Sequence, residues 1–348
     1  AFHMGNAIKL LGLLTYLQLI ACDLGYYAHL AQGQARIIWR TQQTTDLRKR
    51  ESTPDSVKKQ FVLVDSILHF AHSIGLNSKG QYTKFYDTGG DPISWNVSAA
   101  PHNSFTPYIW HFPLVGGVPY KGFFNRGRAE SEYNRLISEG YDVLLRPVSA
   151  YSTLGYLSDP LLSTMLSYPP HVLADLILHE LTHTTMYAKG HADFNESVAT
   201  FIGQEGARQF LSKSFGERNE YLLRAEEERQ DRNRFRLFIY ELTQDLDSLY
   251  QASPDDTDLL AKREQVFLRA QKRFEKSLPL YINQGYRAFL QWEINNARLL
   301  SYRRYNTKQD VFQRILTQFN GDLNQSIALF SQCCNSDYPW KCLESQQQ

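Results

Sequence analysis

The alternation of apolar and polar residues divides the chain into a mixed first half and a helical second half. Apolar residues recur at helical spacing over 52–75, and the charged segment 127–139 also favours a helix. Residues 80–125 are rich in Gly, Pro, Ser, Asn and aromatic residues, which predicts short strands joined by turns. Residues 142–153 favour a strand that runs into a loop.

From Pro170 onwards the pattern predicts helices almost without interruption. The helical segments are 171–188, 193–214, 217–252, 256–278, 280–301 and 308–333. We therefore expect an α+β, predominantly helical fold, in which a small β region precedes a long helical part. We expect a single domain over 23–348, with a mixed α/β part at 23–169 and a helical part at 170–348.

Composition and charge narrow the possible functions. The chain has 348 residues and a formal net charge of +1, so nothing indicates a nucleic-acid partner. The cysteines lack the CxxC spacing of a cysteine metal site. In an oxidising compartment, Cys342 could pair with Cys333 or with Cys334; in a reducing one, all three would remain thiols.

Residues 4–22 have the features of an export signal. Lys9 is followed by the apolar run LLGLLTYLQLIAC, which has the length of a signal-peptide core and is shorter than the ~20 residues of a membrane span. The run ends in Leu19-Ile20-Ala21-Cys22, which resembles the bacterial lipobox and implies cleavage before Cys22 and lipidation of its sulfur. Asp23 then implies retention in the inner membrane, on the periplasmic side of the cell envelope. The alternative is an amphipathic first helix that packs on the domain.

The segment 179–183, His-Glu-Leu-Thr-His, has the spacing of a metal-binding helix. Residues four apart on a helix lie on one face, ~5–6 Å apart at Cβ, so the imidazoles of His179 and His183 can converge on one Zn²⁺ with bonds of ~2.0–2.1 Å. Glu180 lies beside the pair, where a general base for a water molecule is needed. The alternative is a pair of core histidines with ordinary hydrogen bonds, since burying them without partners is costly.

A catalytic zinc also needs a third protein ligand and an open position. His191 does not fit the metzincin spacing, and Asp193 is possible, but Glu196 is the better candidate. Small residues follow Glu196 at helical spacing and would let its helix approach the histidine helix closely. They are Ala199, Thr200, Gly203 and Ala207.

Other polar residues are candidates for contacts to the ligands or to substrate. Asp175 and Tyr187 extend the four-residue spacing of the two histidines, although Asp175 could instead interact with the helix dipole. Asn195 precedes Glu196. Thr200 lies one turn after Glu196, where it could hydrogen-bond a ligand or serve only as a small packing residue.

Substrate-binding groups are less well defined by the sequence. Tyr120, Tyr151 and Tyr156 are candidates for stabilising a developing oxyanion, although in a chain with 21 tyrosines packing is the simpler explanation for each. An aminopeptidase must also hold the ammonium group of its substrate, for which Asp159 and Asp175 are candidates. Asp159 precedes a proline, so it could instead be a turn residue.

Several motifs in order resemble the bacterial "predicted aminopeptidase" family of zinc metallopeptidase lipoproteins. They are VGGVPYKGFF (115–124), AYSTLGYLSDPLLSTML (150–166), HELTHTTMYAKG (179–190), FNESVAT (194–200) and EGARQFL (205–211). The resemblance implies a gluzincin-like peptidase with one Zn²⁺ on His179, His183 and Glu196 and with Glu180 as general base. It also implies an exported protein, anchored to the membrane by lipid at Cys22.

The expected activity is zinc-dependent hydrolysis of peptide bonds, as an aminopeptidase. The GxMEN string that binds a substrate amino terminus in one class of aminopeptidases is absent from the sequence. A metal-dependent endopeptidase of envelope proteins is therefore an alternative. A non-enzymatic zinc protein that acts in assembly is another, favoured by the long charged helices at 217–278.

Overall fold

The first half of the protein combines short helices with small sheets. The computed structural model describes residues 25–112, 116–148, 150, 153, 157–252 and 257–346, and everything said of the structure refers to these residues. The helices of this half are α1 (25–40), α2 (Thr44–Lys49), α3 (Asp55–Ser73) and α4 (Arg126–Ser138). Asn125 caps α4 by accepting a hydrogen bond from the Arg128 amide.

The strands form separate small sheets. They are β1 (Gln42–Gln43), β2 (Lys84–Tyr86), β3 (Trp95–Pro101), β4 (Trp110–Phe112), β5 (Gly116–Val118), β6 (Lys121–Phe123), β7 (Tyr141–Pro147) and β8 (Leu161–Leu162). The sheet orders are β1-β2-β8, β6-β3-β7 and β4-β5. The longest pairing is antiparallel, between β3 and β7, and runs from Trp95↔Pro147 to Pro101↔Tyr141.

The second half is helical. Its α-helices are α5 (Pro170–Thr185), α6 (Ala192–Phe215), α7 (Glu220–Ala252), α8 (Leu259–Ser277), α9 (Asn296–Tyr305), α10 (Gln309–Gln318), α11 (Leu323–Cys334) and α12 (Pro339–Ser345). Short 3-10 helices cover Ser163–Ser167, Leu278–Leu280 and Gln284–Gln291. The predicted α+β, predominantly helical fold is confirmed.

Two predicted helices are interrupted in the structure. The segment 280–301 is mostly 3-10 helix and turn, and α9 begins only at Asn296, where the Asn295 side chain caps it. The segment 308–333 is two helices, because Asn320 and Gly321 adopt left-handed conformations that end α10. The side chain of Asp322 then caps α11.

The core that holds the histidine helix is formed by α3, α5, α6, α10 and α11. Its fully buried side chains include Phe61, Leu178, Phe210 and Phe330. An aromatic cluster with Phe235, Phe274 and Phe289 joins α7 and α8, and a third cluster lies between α4 and the β3 sheet. Buried apolar side chains of the first cluster therefore fix α5 in the core.

Cys342 pairs with Cys333, which decides between the two pairings left open by the sequence, and Cys334 is a buried thiol.

No helix among the described residues has the length and apolar character to cross a bilayer. The expected signal segment 4–22 and its Cys22 lie outside the described residues. The expected single domain over 23–348 stays a prediction.

Candidate metal centre

Helix α5, which is largely buried, carries the histidine pair. Pro170 begins the helix, and the fully buried Leu173, Ile177 and Leu181 attach one of its faces to the core. This orientation leaves His179 and His183 on the neighbouring face, which packs against α6. Their rings are perpendicular to each other, with centroids 5.0 Å apart.

Helix α6 brings a carboxylate to the same point. The Oε2 atom of Glu196 lies 3.4 Å from Nε2 of His179 and 3.5 Å from Nε2 of His183. The three candidate ligand atoms all lie within 4.8 Å of one another. Ligands bonded at 2.0–2.1 Å around a tetrahedral zinc are separated by about 3.3–3.4 Å. The two histidine–carboxylate separations therefore agree with those around a tetrahedral metal ion.

One candidate ligand atom also lacks the partner that a buried polar atom normally has. Oε2 of Glu196, which faces both histidines, is buried and forms no hydrogen bond to any described residue. A buried carboxylate oxygen without a partner is unfavourable, and a divalent cation between the three side chains would satisfy it. The residues present therefore fit a metal ion, and two imidazoles with one carboxylate suit zinc as well as other first-row divalent metals.

The electrostatics of the cluster favour an ionised carboxylate. Burial by itself would raise the pKa of Glu196, but the imidazoles of His183 and His179 outweigh it and hold the pKa well below its usual range. Burial would lower the pKa of His179, but the nearby carboxylates of Glu196 and Glu180 raise it overall. Binding of a metal ion to the His179 imidazole would therefore compete with its protonation.

Gly203 allows α5 and α6 to approach each other at this point. A Cβ atom there would lie 2.5 Å from Oδ1 of Asp175, 2.8 Å from its backbone oxygen and 3.2 Å from Cβ of His179. Ala199 and Ala207, on the same face of α6, are also buried. The predicted close approach of the two helices is confirmed at Gly203.

Asn195 and Ser197 fix the first turn of α6 on either side of Glu196. The Asn195 side chain accepts a hydrogen bond from the Ala188 amide and donates one to the Ala188 carbonyl, both of 2.8 Å. The Ser197 hydroxyl donates to the Arg304 carbonyl at 3.0 Å, which joins α6 to the end of α9. Asn195 therefore acts on the position of Glu196 through the backbone.

Two residues expected on the α5 face are placed differently. Tyr187 does not continue the helical spacing, because α5 ends at Thr185 and Met186 is extended. Asp175 does lie on that face, one turn before His179, but its Oδ2 pairs with Nη1 of Arg232 at 3.1 Å.

Other candidates lie outside the metal cluster. Asp193 accepts a hydrogen bond from Nε1 of Trp340 at 3.1 Å and does not join the cluster. The side chain of Thr200 has no hydrogen bond among the described residues, so its contact to a ligand stays a prediction.

Asp159 organises a turn and lies electrostatically near Glu180. Its carboxylate accepts hydrogen bonds from the backbone amide and the hydroxyl of Thr153. Burial raises the pKa of Asp159 to about 6, and the charge of Glu180 adds to the rise. Burial also raises the pKa of Tyr82, with contributions from Glu180 and Asp159, and the Tyr82 hydroxyl has no hydrogen-bond partner among the described residues. Tyr151 and Tyr156 lie outside the described residues.

Three residues that sequence reasoning missed lie beside the histidines. The ring of Tyr305 stacks on that of His179, with centroids 6.0 Å apart and an interplanar angle of 25°. Nη2 of Arg146 donates to the Tyr305 hydroxyl at 2.9 Å. The guanidinium of Arg304 lies 5.7 Å from the ring centre of Tyr120. Burial and then the charge of Glu196 raise the pKa of Tyr120, which is therefore also near the cluster.

A buried polar contact explains why these distant residues meet. Oδ2 of Asp142 accepts a hydrogen bond from the Asn296 amide at 2.8 Å and pairs with Nη1 of Arg263, also at 2.8 Å. Asp142 lies on β7 and Asn296 begins α9, so the contact fixes the two elements against each other. No motif in the sequence marks it, because its partners are 154 residues apart.

The comparisons with known proteins give one family. A family model described as "Putative aminopeptidase" matches residues 25–336. No curated protein matches the chain, and no solved structure matches it. The matched residues run from the first residue of α1 to the last turn of α11 and beyond, and they include the whole candidate metal centre.

Proposed function

The chain belongs to the family described as "Putative aminopeptidase", and on that premise we propose that it is a zinc-dependent peptidase. The observation that carries the proposal is the convergence of His179, His183 and Glu196. A histidine pair four residues apart on a helix, with a glutamate after the first histidine, is the pattern of the zincin metallopeptidases. Among the candidate roles, this one also explains why Glu180 lies beside the cluster.

The proposed ligands are His179, His183 and Glu196, and the proposed general base is Glu180. A bound zinc ion supplies a Lewis acid that polarises a scissile carbonyl and lowers the pKa of water at the site. Glu180 is partly exposed, so its carboxylate can reach a water molecule at the open side of the cluster. It accepts a proton as that water attacks the carbonyl carbon, then donates the proton to the leaving nitrogen.

The exopeptidase part of the proposal rests on the family description. The acidic residues considered for the substrate ammonium already have partners, since Asp159 accepts hydrogen bonds from Thr153 and Asp175 pairs with Arg232. Their engagement favours the endopeptidase alternative as a second candidate. Peptides with free and with acetylated amino termini distinguish the two, because an aminopeptidase cleaves only the free ones.

The test of the peptidase proposal is Glu180→Gln. The variant keeps the size of the side chain and leaves all three proposed ligands in place, so metal content should equal that of the wild type. Hydrolysis of a mixed peptide library should fall by about 10²–10⁴-fold, the usual contribution of a general base. Equal hydrolysis by variant and wild type would remove Glu180 from the mechanism. A wild-type protein that binds metal but cleaves no peptide would favour the non-enzymatic alternative.

We also propose that the protein is lipid-anchored at Cys22 on the periplasmic side of the inner membrane. The lipobox-like sequence before Cys22 supports this proposal, and the Cys333–Cys342 disulfide agrees with an oxidising compartment. Expression of the full chain with labelled palmitate should label the wild type and leave Cys22→Ala unlabelled. Label that persists in Cys22→Ala would refute the anchor.

A further inference from the structure

Two arginines near the candidate metal centre have no carboxylate partner among the described residues. Arg304 is only 7% exposed, and its guanidinium contacts the face of the Tyr120 ring. The side chain of Arg146 donates one hydrogen bond, to the Tyr305 hydroxyl, and its Nε atom is buried without a partner. In the described part of the chain, neither guanidinium forms an ion pair.

The other arginine of the described residues that is buried to the same extent as Arg304 does have such a partner. Arg263, which is equally buried, pairs with Asp142 at 2.8 Å. A buried charge that lacks a partner is unfavourable by several kcal/mol, and proteins seldom keep one without a use for it. Arg304 is therefore an exception that calls for a ligand, and Arg146, whose side chain contacts the neighbouring Tyr305, supplies a second guanidinium.

Both arginines are connected to the proposed ligands through neighbouring residues. Arg304 precedes Tyr305, whose ring stacks on His179, and its carbonyl accepts the hydrogen bond of Ser197. The charge of Glu196 acts on the pKa of Arg146, of Tyr305 and of Tyr120. Glu196 thus compensates part of the positive charge in the structure as described.

We propose that Arg146 and Arg304 bind a carboxylate of the substrate, so that this site prefers peptides with a negative charge close to the scissile bond. The proposal rests on the proposed peptidase function. Guanidinium groups bind carboxylates through paired, charge-assisted hydrogen bonds, which are stronger than neutral ones. The hydroxyls of Tyr305 and Tyr120 lie in the same region and offer further donors. The carboxylate would come from the C-terminus of a short peptide or from an acidic side chain.

The test measures binding to metal-free protein, so it does not depend on turnover. Calorimetric titration with Ala-Ala-Ala is compared with titration with Ala-Ala-Ala-amide. The free acid should bind about 10- to 100-fold more tightly, as expected for hydrogen bonds to a charged group. A second pair, Ala-Asp-Ala-amide and Ala-Asn-Ala-amide, detects an acidic side chain as the source. Preference for the charged member in either pair supports the proposal and identifies the source, and equal binding within both pairs refutes it.

Variants test whether Arg146 and Arg304 cause the preference for the charged peptide. In the peptide pair that shows a preference, Arg304→Gln and Arg146→Gln should each reduce the ratio of charged-peptide affinity to uncharged-peptide affinity by at least about tenfold. The affinity for the uncharged peptide should stay the same. Arg303→Gln is the matched control, because Arg303 lies next to Arg304 on α9 but pairs with Asp247, away from the cluster. It should keep the wild-type ratio. A wild-type ratio in folded Arg304→Gln and Arg146→Gln would overturn the assignment.

Arg304→Lys and Arg146→Lys keep the positive charge, so they test the same residues even if a glutamine variant does not fold. Each should retain part of the preference, because an ammonium still attracts a carboxylate but cannot form paired hydrogen bonds. If the metal-loaded wild type cleaves no peptide but shows the carboxylate preference, the proposed peptidase function is refuted and the proposed carboxylate-binding site is supported.

Discussion

Replacing Gly203 with alanine should move Glu196 away from the two histidines. The new Cβ atom would lie 2.8 Å from the backbone oxygen of Asp175, and restoring an ordinary contact of 3.4 Å requires a displacement of about 0.6 Å. The Asp175 carboxylate can rotate away, but the backbone of a buried helix cannot easily do so. Helix α6 therefore moves outward, and Glu196, two turns earlier on the same face, moves with it.

The size of the effect follows from two opposing contributions. Overpacking of this kind costs about 1–3 kcal/mol, while alanine in a helix is more favourable than glycine by about 1 kcal/mol. The free energy of unfolding should thus fall by about 0–2 kcal/mol, which leaves the protein folded. Metal ligands tolerate errors of only about 0.2 Å in their distances, so the affinity for Zn²⁺ should fall by at least about tenfold.

The assay is a competition titration of Zn²⁺ against a chromophoric chelator, combined with urea unfolding of the metal-free protein. Gly25→Ala is the control, because Gly25 is also helical and a Cβ atom there would have no neighbour within 4 Å. That variant should bind Zn²⁺ like the wild type. Wild-type affinity in Gly203→Ala would show that the contact between α5 and α6 does not determine the position of Glu196.

Further predictions concern the surroundings of the cluster. Asn195→Ala removes both hydrogen bonds to Ala188, so it should lower the free energy of unfolding by about 1–3 kcal/mol and weaken Zn²⁺ binding. Wild-type values in urea unfolding and in chelator competition would contradict this prediction. The pKa of Asp159 is raised to about 6 in the folded protein, so its contribution to stability is present below its ordinary pKa and is lost as pH rises through 6. Between pH 4 and 7 the wild type should therefore lose stability relative to Asp159→Asn, and parallel pH profiles would contradict this. Reduction of the Cys333–Cys342 disulfide should lower the melting temperature, as removal of a cross-link usually costs about 2–4 kcal/mol, whereas Cys342→Ser should show no further change on reduction.

The proposed ligands could be found from the sequence because their arrangement is local. His179 and His183 are one turn apart on one helix, and Glu196 lies on the next helix beside a stripe of small residues. Helical periodicity predicts both facts without knowledge of the fold. The prediction failed for Tyr187, where the helix ended earlier than the pattern indicated, because Met186 is extended.

The arginine and tyrosine neighbours could not be found in this way. Arg146 and Tyr305 are 159 residues apart and meet because long-range contacts, among them that of Asp142, fix β7 against the start of α9. Sequence periodicity also predicted a continuous helix across 280–301, which would have placed Tyr305 in a different element. The correct break depends on the cap at Asn295, whose side chain also donates to the Val143 carbonyl on β7. Such long-range contacts leave no periodic signal in the sequence.

The central claim is that His179, His183 and Glu196 together bind one divalent metal ion. X-ray absorption spectroscopy of the protein loaded with Zn²⁺, combined with metal analysis, tests it most directly. The account predicts one zinc ion per chain, with two imidazoles and carboxylate oxygen among its ligands, and a loss of the ion in Glu196→Ala. A zinc site with a different ligand set, or one that is unchanged in Glu196→Ala, would contradict the account.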